Sequence, residues 1–550
     1  MMYNLQKRVD LPQKENRIIL KNGYVYYYTD MHWDAEKKKT VDNRKPVGKV
    51  CPDDNLKMFP NENWKELMGE ETPERTAKHM NVGSYICLYK SAGKIGCLKA
   101  LQESFPNLWD KIFALCVYVI DAKSSAAQLF PYWGFHNYCG RSKPFSDSTI
   151  SEVFRVISED DWAVDNFMQY FGRNYPEAIP EAKETAVALD STNRNTTCKN
   201  NKYAQHGKQK VKKSGIPQVN TAIIVDELTG IPIYYENFFG SVLDKTETPV
   251  TIEKVKELGF QKLFIAMDSG YASAECMTSF DDGYEFSVMT PESYQVVKYM
   301  IRTYAKQIIH NEKYYIRDEK VYGICEKGVN AFSGKYNAYL FYDSKRGQQE
   351  IDSIHEKASA ILNTVWKRKR FSESLQKKYA PFITITKTEY NPKTKRNFDA
   401  EINSDAVQKE IDNAGLFVVV SNSDSTPGRI IKITRMRDKN EKGFERIKTL
   451  FDMMASDTHS TATYEGKMFI GFVSLIICEA YRWYIRDILK TESSATAETT
   501  LSELRNYQMM KKNDGTYMPV YALSRKQKEL FSCFGLDQQS LREFINELPH

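Results

Sequence analysis

Two aspartates follow short apolar segments at positions where they could share a metal ion. Asp190 comes directly after Thr185–Leu189, and Asp268 comes directly after Gln261–Met267. Ligands gather at the carboxyl ends of strands in open α/β sheets, and Mg²⁺ takes oxygen ligands while keeping waters for a substrate phosphate. The alternative for either aspartate alone is a turn former. We interpret Asp226 in that way, because it opens the hairpin-turn sequence DELTG.

A third acid lies on a predicted helix further along the chain. At about 100° per residue, Arg437, Glu441 and Lys448 share one stripe with Phe444 and Phe451. A helix that packs on a sheet edge through its two Phe residues would present one carboxylate and two cations to a shared ligand. The alternative is an ordinary i, i+4 Arg–Glu pair on a solvated face.

Positive charge is concentrated beside the first aspartate. Residues 197–213 contain six lysines and no acid. As a charge run alone this favours a solvated loop, whereas beside a phosphodiester-cutting site it would favour phosphate binding. Trp366 opens a second basic cluster at 366–370. We expect this residue in the core, with stacking on a base as the alternative. The lysines of the first cluster that would then contact DNA phosphate are Lys208, Lys210, Lys212 and Lys213.

The elements that must position these residues indicate an α/β fold. From about residue 185 the order is β-β-β-α-β, an antiparallel meander followed by a crossover strand, and it predicts a mixed sheet with helices on its faces. A long charged helix is predicted over about 345–379, and 492–500 has the composition of a linker.

The predicted domains are a basic β-hairpin region at 1–60, a helical domain at 61–180, a core at 181–284 and 426–490, a β-rich insertion at 285–425, and a linker with a helical C-terminal tail at 491–550.

Composition excludes several classes of protein. Hydrophobic residues make up 41% and charged residues 27% of the 550 residues, which is typical of globular domains and not of disordered chains. The longest apolar run, Met468–Cys478, is shorter than the roughly 20 residues that span a bilayer, so we expect no membrane partner. The ten cysteines are scattered without a C-x-x-C motif, as in reduced cytoplasmic proteins. A net charge of +6 permits a nucleic-acid partner without requiring one.

Taken together, these motifs resemble the DDE transposases of bacterial insertion sequences, in the branch with a Y-(2)-R-(3)-E-(6)-K signature. Arg437, Glu441 and Lys448 match the last three signature positions at the right spacing. Leu189–Thr192 resembles the family's first-aspartate motif, and Met267–Tyr271 resembles the second. The resemblance extends from about residue 185 to about residue 490. Thr434 stands where the signature has its tyrosine.

The resemblance implies a ribonuclease-H-like core in which Asp190, Asp268 and Glu441 bind two Mg²⁺ or Mn²⁺ ions, while Arg437 and Lys448 hold DNA phosphate. It implies cut-and-paste DNA transposition, with metal-dependent cleavage at the ends of an insertion sequence and strand transfer into target DNA. The partners are then double-stranded DNA, both terminal inverted repeats and target, and a second copy of the chain in a homodimer on DNA. The helical domain is expected to bind the DNA ends, in the cytoplasm at the bacterial nucleoid.

Two other functions stay open on the sequence. A ribonuclease-H-like DNA nuclease without strand transfer would use the same first chemical step. A catalytically inactive DNA-binding protein derived from a transposase would have no need of the three acids. All three acids are present in this chain, which argues against the inactive form.

Overall fold

Strands and helices build two units, Met1–Lys78 and His79–His550. The computed structural model describes residues 7–20, 22–34, 39–69, 77–141, 143–181, 186–207, 215–258, 264–280, 284–368, 370, 372–392, 394–439, 441–455, 458–512 and 516–549. The strands are β1 (Val9–Asp10), β2 (Arg17–Ile19), β3 (Tyr24–Asp34), β4 (Lys39–Cys51), β5 (Asp54–Pro60), β6 (His79–Asn81), β7 (Ala186–Asn195), β8 (Gln218–Asp226), β9 (Pro232–Phe239), β10 (Phe264–Met267), β11 (Glu285–Thr290), β12 (Tyr315–Ile316), β13 (Val321–Ala331), β14 (Gly334–Tyr342), β15 (Ile383–Asn391), β16 (Arg396–Ile402), β17 (Leu416–Ser421), β18 (Gln508–Lys511) and β19 (Tyr517–Pro519). The α-helices are α1 (Glu62–Leu67), α2 (Gly83–Lys94), α3 (Cys97–Ser104), α4 (Trp109–Ala122), α5 (Phe130–His136), α6 (Asp147–Glu159), α7 (Asp161–Ala178), α8 (Asp244–Glu257), α9 (Ala274–Thr278), α10 (Gln295–Ile308), α11 (Ser344–Trp366), α12 (Glu373–Tyr379), α13 (Ser404–Asp412), α14 (Pro427–Lys439), α15 (Glu441–Ala455), α16 (Thr461–Tyr484), α17 (Arg486–Thr491), α18 (Ala497–Arg505), α19 (Arg525–Ser532) and α20 (Gln538–Asn546).

The first unit is a five-stranded sheet in the order β1-β5-β4-β3-β2. Successive side chains of a strand point to opposite faces, so Val25 faces one side and its neighbours Tyr24 and Tyr26 face the other. Val25 packs with Met58 and with Trp64 of α1 in a small apolar core. Helix α1 therefore covers one face of this sheet.

A nine-stranded mixed sheet forms the centre of the second unit, in the order β12-β13-β14-β17-β11-β10-β7-β8-β9. Strands β7, β8 and β9 are antiparallel neighbours. Strand β10 runs parallel to β7 on one side and to β11 on the other. The predicted mixed α/β architecture, an antiparallel meander followed by a crossover strand, is confirmed.

The β-rich segment after residue 285 largely continues this sheet. Strand β11 pairs with β17, and β17 pairs with β14, although more than a hundred residues separate β11 from β17. In the described part of this segment, β15 and β16 form a hairpin of their own, and their core packs against Val365 of α11. The long helix predicted over 345–379 is present as α11 and α12, with residues 369 and 371 outside the described residues.

Helices from both ends of the second unit pack around α16. This helix is long and apolar enough to cross a membrane, but 72% of its most apolar stretch is buried within the protein, as in the core helix of a globular domain. Its neighbours include α2, α4, α6 and α15. The linker predicted at 492–500 is wrong, because α18 begins at Ala497 with Thr496 in a capping box and packs against α2. Strand β18 then pairs with β6 from the start of the unit.

Candidate functional site

Two adjacent parallel strands carry the predicted aspartates. Ala266 of β10 lies opposite Ala188 of β7, so the same register two residues further on places Asp268 beside Asp190. Each carboxylate accepts a hydrogen bond from the next backbone N–H, Ser191 to Asp190 at 2.8 Å and Ser269 to Asp268 at 2.6 Å. Asp268 is exposed and Asp190 is partly buried, so both remain accessible to a ligand.

Both aspartates point to the face of the sheet that α14 covers. Ala186 of β7 and Phe264 and Ala266 of β10 contribute to the apolar core beneath α14. Side chains two residues apart share a face of the sheet. Asp190 therefore lies on the same face as Ala186, and Asp268 on the same face as Phe264 and Ala266. The apolar positions of the two strands thus fix the direction of both acids.

Helix α15 brings a cation to the first aspartate. The Lys448 Nζ lies 3.0 Å from Asp190 Oδ2, and the two side chains are 42% and 20% exposed. The pair is therefore partly screened by water, and its lysine can exchange between Asp190 and another anion. The sequence predicted Lys448 as a phosphate contact, and the structure brings it to Asp190.

Arg194 is a second link between β7 and α15, and sequence reasoning missed it. Its side chain is 3% exposed, with Nε 3.1 Å from Asp452 Oδ1. The guanidinium lies over the ring of Phe451, 5.0 Å from the centroid, and Nη1 donates to Thr221 Oγ1 at 2.9 Å. Burial raises the pKa of the neighbouring Tyr464 phenol, which keeps this ring neutral beside the cation. The sequence signal that could have identified it is the alternation of side chains along a strand. Arg194 stands four residues after Asp190, an even number, and so lies on the same face of β7.

The opposite side of α15 is held by α16. Arg446 Nε lies 3.1 Å from Glu479 Oε1, and the Glu479 side chain is 5% exposed. Arg482 of α16 contacts the same carboxylate at 3.4 Å. Ion pairs therefore link α15 both to β7 and to α16.

Two predicted members of the site cannot be placed by side chain. Residues 437 and 441 belong to α14 and α15, but the side chains of Arg437 and Glu441 lie outside the described residues. The described side chains contain no group of three metal-ligating residues. The side chain of Glu441, the predicted third ligand, is not among those described. What the structure does place is the backbone of both helices on the sheet face of the two aspartates.

The basic loop is described only in its first half. Lys202 pairs with Glu465 of α16, with Nζ 2.7 Å from Oε1, and its backbone N–H donates to Thr461 Oγ1 at 2.9 Å. The loop therefore starts against the N-terminal end of α16. The DNA contacts predicted in its second half lie outside the described residues: Lys208, Lys210, Lys212 and Lys213.

Three further residues singled out in the sequence are described by the structure. Asp226 is a turn former, as predicted, because it accepts hydrogen bonds from the backbone N–H groups of Leu228 and Thr229 at 3.0 and 2.9 Å. Trp366 is 43% exposed, so it is not a fully buried core residue, and its indole N–H donates to the Ala400 carbonyl at 3.3 Å. Thr434 is buried, and its hydroxyl donates to the Ile430 carbonyl within α14 at 2.9 Å.

A family match covers most of the second unit. Residues 181–477, more than half of the chain, match the family described as "Transposase DDE domain". No curated protein sequence matches the chain. Among solved structures, a cryo-EM synaptic complex of piggyBac transposase with hairpin DNA is similar over 87% of each chain, at 10% sequence identity and a TM-score of 0.35. A likeness this loose says nothing about shared details.

Proposed function

The chain belongs to the transposases with a DDE domain, and from that premise we propose that it cuts DNA at the ends of an insertion sequence and joins those ends to target DNA. The observation that supports this proposal is the parallel pairing of β7 with β10, because the same register continued two residues beyond Ala188 and Ala266 would bring Asp190 and Asp268 side by side. Lys448 beside Asp190 adds a cation at the same place. Two accessible acids and a partly exposed cation suit a phosphodiester substrate.

We further propose that the core is ribonuclease-H-like and that the chain belongs to the Y-R-E-K branch of the insertion-sequence transposases. The strand order β9-β8-β7-β10-β11, with three antiparallel strands next to two parallel ones, supports this proposal. The spacing of Arg437, Glu441 and Lys448 supports the branch.

The residues present fit a divalent-metal site. Carboxylate oxygens are the ligands that Mg²⁺ and Mn²⁺ take, and Asp190 and Asp268 offer them from neighbouring strands. Glu441 is proposed as the third ligand. When two ions are bound, they supply activation of the attacking oxygen and stabilisation of the leaving oxygen. The protein's own part is to fix the carboxylates on rigid strands and to keep Lys448 and Arg437 within reach of the phosphate, where cations stabilise developing negative charge.

The partner is proposed to be double-stranded DNA, as terminal inverted repeats and as target, at the bacterial nucleoid in the cytoplasm. The lysines of the loop after Asp190 are proposed to follow the backbone of the DNA, and the helices of 61–180 to bind the ends. Cutting and joining two ends in one reaction requires two active sites, so a homodimer on DNA is proposed.

The test is cleavage of a DNA fragment that carries the repeats flanking the gene, with Mg²⁺ present. Asp268→Asn and Glu441→Ala should each slow nicking by at least about a thousandfold, since removing a ligand loses several kcal/mol of transition-state stabilisation. Binding to the same fragment, measured by gel shift, should be retained. The matched control is Asp424→Asn, because Asp424 is also exposed and also follows a strand of the sheet.

Three outcomes would contradict parts of the proposal. Nicking within tenfold of wild type in Asp268→Asn would remove Asp268 from the site. Cut ends that never join to added target DNA would indicate a nuclease without strand transfer. No nicking by the wild-type protein, with end binding intact, would indicate an inactive descendant.

A further inference from the structure

The N-terminal sheet has one covered face and one open face, and the open face is aromatic. Val25 and Tyr27 of β3 face the core under α1, so Tyr24, Tyr26 and Tyr28 lie on the opposite face, two residues apart. These three rings are partly exposed. This row of tyrosines therefore lies on the face of the sheet that points away from α1.

Cations lie against the same row. Lys49 Nζ is 5.5 Å from the centroid of the Tyr24 ring, and the Arg44 guanidinium is 5.8 Å from that of Tyr26. Both cations are exposed. They come from β4, where Lys49 is paired with Tyr24 and Arg44 with Tyr28, so the pairing of the two strands places each positive charge beside a ring.

The row continues onto β5. Phe59 is the partner of Lys49 in the ladder, and the Arg8 guanidinium lies 5.8 Å from its ring centroid. Arg8 is also paired with Asp53 at 2.7 Å, so its charge is partly neutralised. The open face thus holds four rings on two strands with Arg44 and Lys49 between them.

We infer that this open face binds single-stranded DNA, with unpaired bases stacked on the tyrosines and phosphates held by Arg44 and Lys49. Alternating aromatic rings and cations on one surface are the two components of sequence-tolerant single-strand binding. Alternate residues of a strand are about 7 Å apart, about twice the 3.4 Å rise between stacked bases, so bases that reach successive tyrosines must be unstacked. A duplex offers its base faces only to neighbouring bases, which favours a single strand as the occupant.

This inference rests on the proposed function, because cleavage of DNA at an element end would expose single strands to the protein. It extends that function by adding a second DNA surface in a different unit, with a different chemistry. Binding is measured apart from cleavage, so the two proposals can fail independently.

The experiment measures fluorescence anisotropy of the full-length protein with a labelled mixed-sequence single strand, the matching duplex and the matching RNA strand. Tyr24→Leu/Tyr26→Leu should weaken single-strand affinity at least about tenfold, because stacking on one ring contributes about 1–3 kcal/mol per base and 1.4 kcal/mol is tenfold. Tyr24→Phe/Tyr26→Phe keeps both rings and should retain affinity. Tyr390→Leu is the matched control, an exposed tyrosine on β15.

Each further outcome has a defined meaning. Unchanged single-strand affinity in the Leu variant would overturn the inference, and so would equal losses for single strand and duplex. Tighter binding of the RNA strand than of the DNA strand by tenfold would overturn the choice of DNA. A loss in the Phe variant as large as in the Leu variant would overturn stacking as the cause. Mg²⁺-dependent nicking, followed in the same preparations, tests the proposed function separately.

Discussion

The ion pair between Lys448 and Asp190 leads us to predict that one substitution has opposite effects on metal affinity and on DNA nicking. Lys448 neutralises a carboxylate that we propose as a metal ligand, so divalent metal and Lys448 compete for Asp190. Lys448→Gln removes the competitor and should tighten Mn²⁺ binding in the absence of DNA. The same change removes a cation from the proposed phosphate site and should slow DNA nicking.

The size of the first effect follows from the geometry of the pair. At 3.0 Å two unit charges attract by about 1.4 kcal/mol in water and by about 5.5 kcal/mol at an effective dielectric constant of 20. Lys448 is 42% and Asp190 20% exposed, so water screening and side-chain entropy reduce the net value to about 1 kcal/mol. Mn²⁺ should therefore bind about fivefold more tightly to Lys448→Gln. Loss of a charged hydrogen bond to phosphate, about 1.5–3 kcal/mol, should lower kcat/KM for nicking by about 10- to 150-fold.

Isothermal titration with Mn²⁺ measures the first effect, and a gel-based nicking assay measures the second. Lys490→Gln is the control, since Lys490 is an exposed lysine on a helix of the same unit and pairs with Asp487. Mn²⁺ affinity that stays unchanged or falls in Lys448→Gln would refute the reasoning, because the pair would then not compete with metal. An unchanged nicking rate in Lys448→Gln would show that Lys448 does not contact the substrate phosphate.

Two further predictions address the surroundings of the site. Replacing all four lysines in the second half of the basic loop by Gln should lower the slope of log affinity against log salt by up to about 3.6, at about 0.9 per phosphate contact, and an unchanged slope would return the loop to a solvated surface role. Arg194→Met should slow nicking at least about tenfold while end binding is retained, because small misplacement of α15 over β7 is costly to catalysis. Asp452→Asn should slow nicking less, since the Asp452 side chain is 64% exposed and stays solvated. A full nicking rate in Arg194→Met would show that the contacts of Arg194 with α15 do not position the site. The loop lysines concerned are Lys208, Lys210, Lys212 and Lys213.

Local patterns identified the elements around the site more reliably than they identified its contacts. The apolar segments that end at Asp190 and Asp268 are recognisable because a buried parallel strand is a short continuous apolar run. Asp226 was separated from them by its turn sequence, and the hydrogen bonds from Leu228 and Thr229 agree. These features depend only on neighbours in the chain.

Sequence reasoning was less successful where long-range pairing decides the structure. Residues 492–500 are rich in Ser, Thr and Ala, which resembles a linker, yet α18 forms there because α2 gives its apolar side a surface to pack against. The β-rich segment read as an insertion joins the central sheet, because β17 pairs with β11 and with β14. No local pattern reports which distant strand will supply a hydrogen-bonding partner.

By itself, the sequence determined which residue types are available for chemistry and on which elements they stand. It placed Asp268 at a strand end, and Arg437, Glu441 and Lys448 on the helical region that follows the insertion. Asp190, also predicted at a strand end, lies within β7, which continues to Asn195. Only the tertiary structure decided that β10 lies directly beside β7, that Lys448 reaches Asp190, and that Arg194 is buried against Phe451 and Asp452. The physical reason is that periodicity is a property of the local backbone, whereas register between strands and the seating of a helix on a sheet depend on burial shared between residues far apart in the chain.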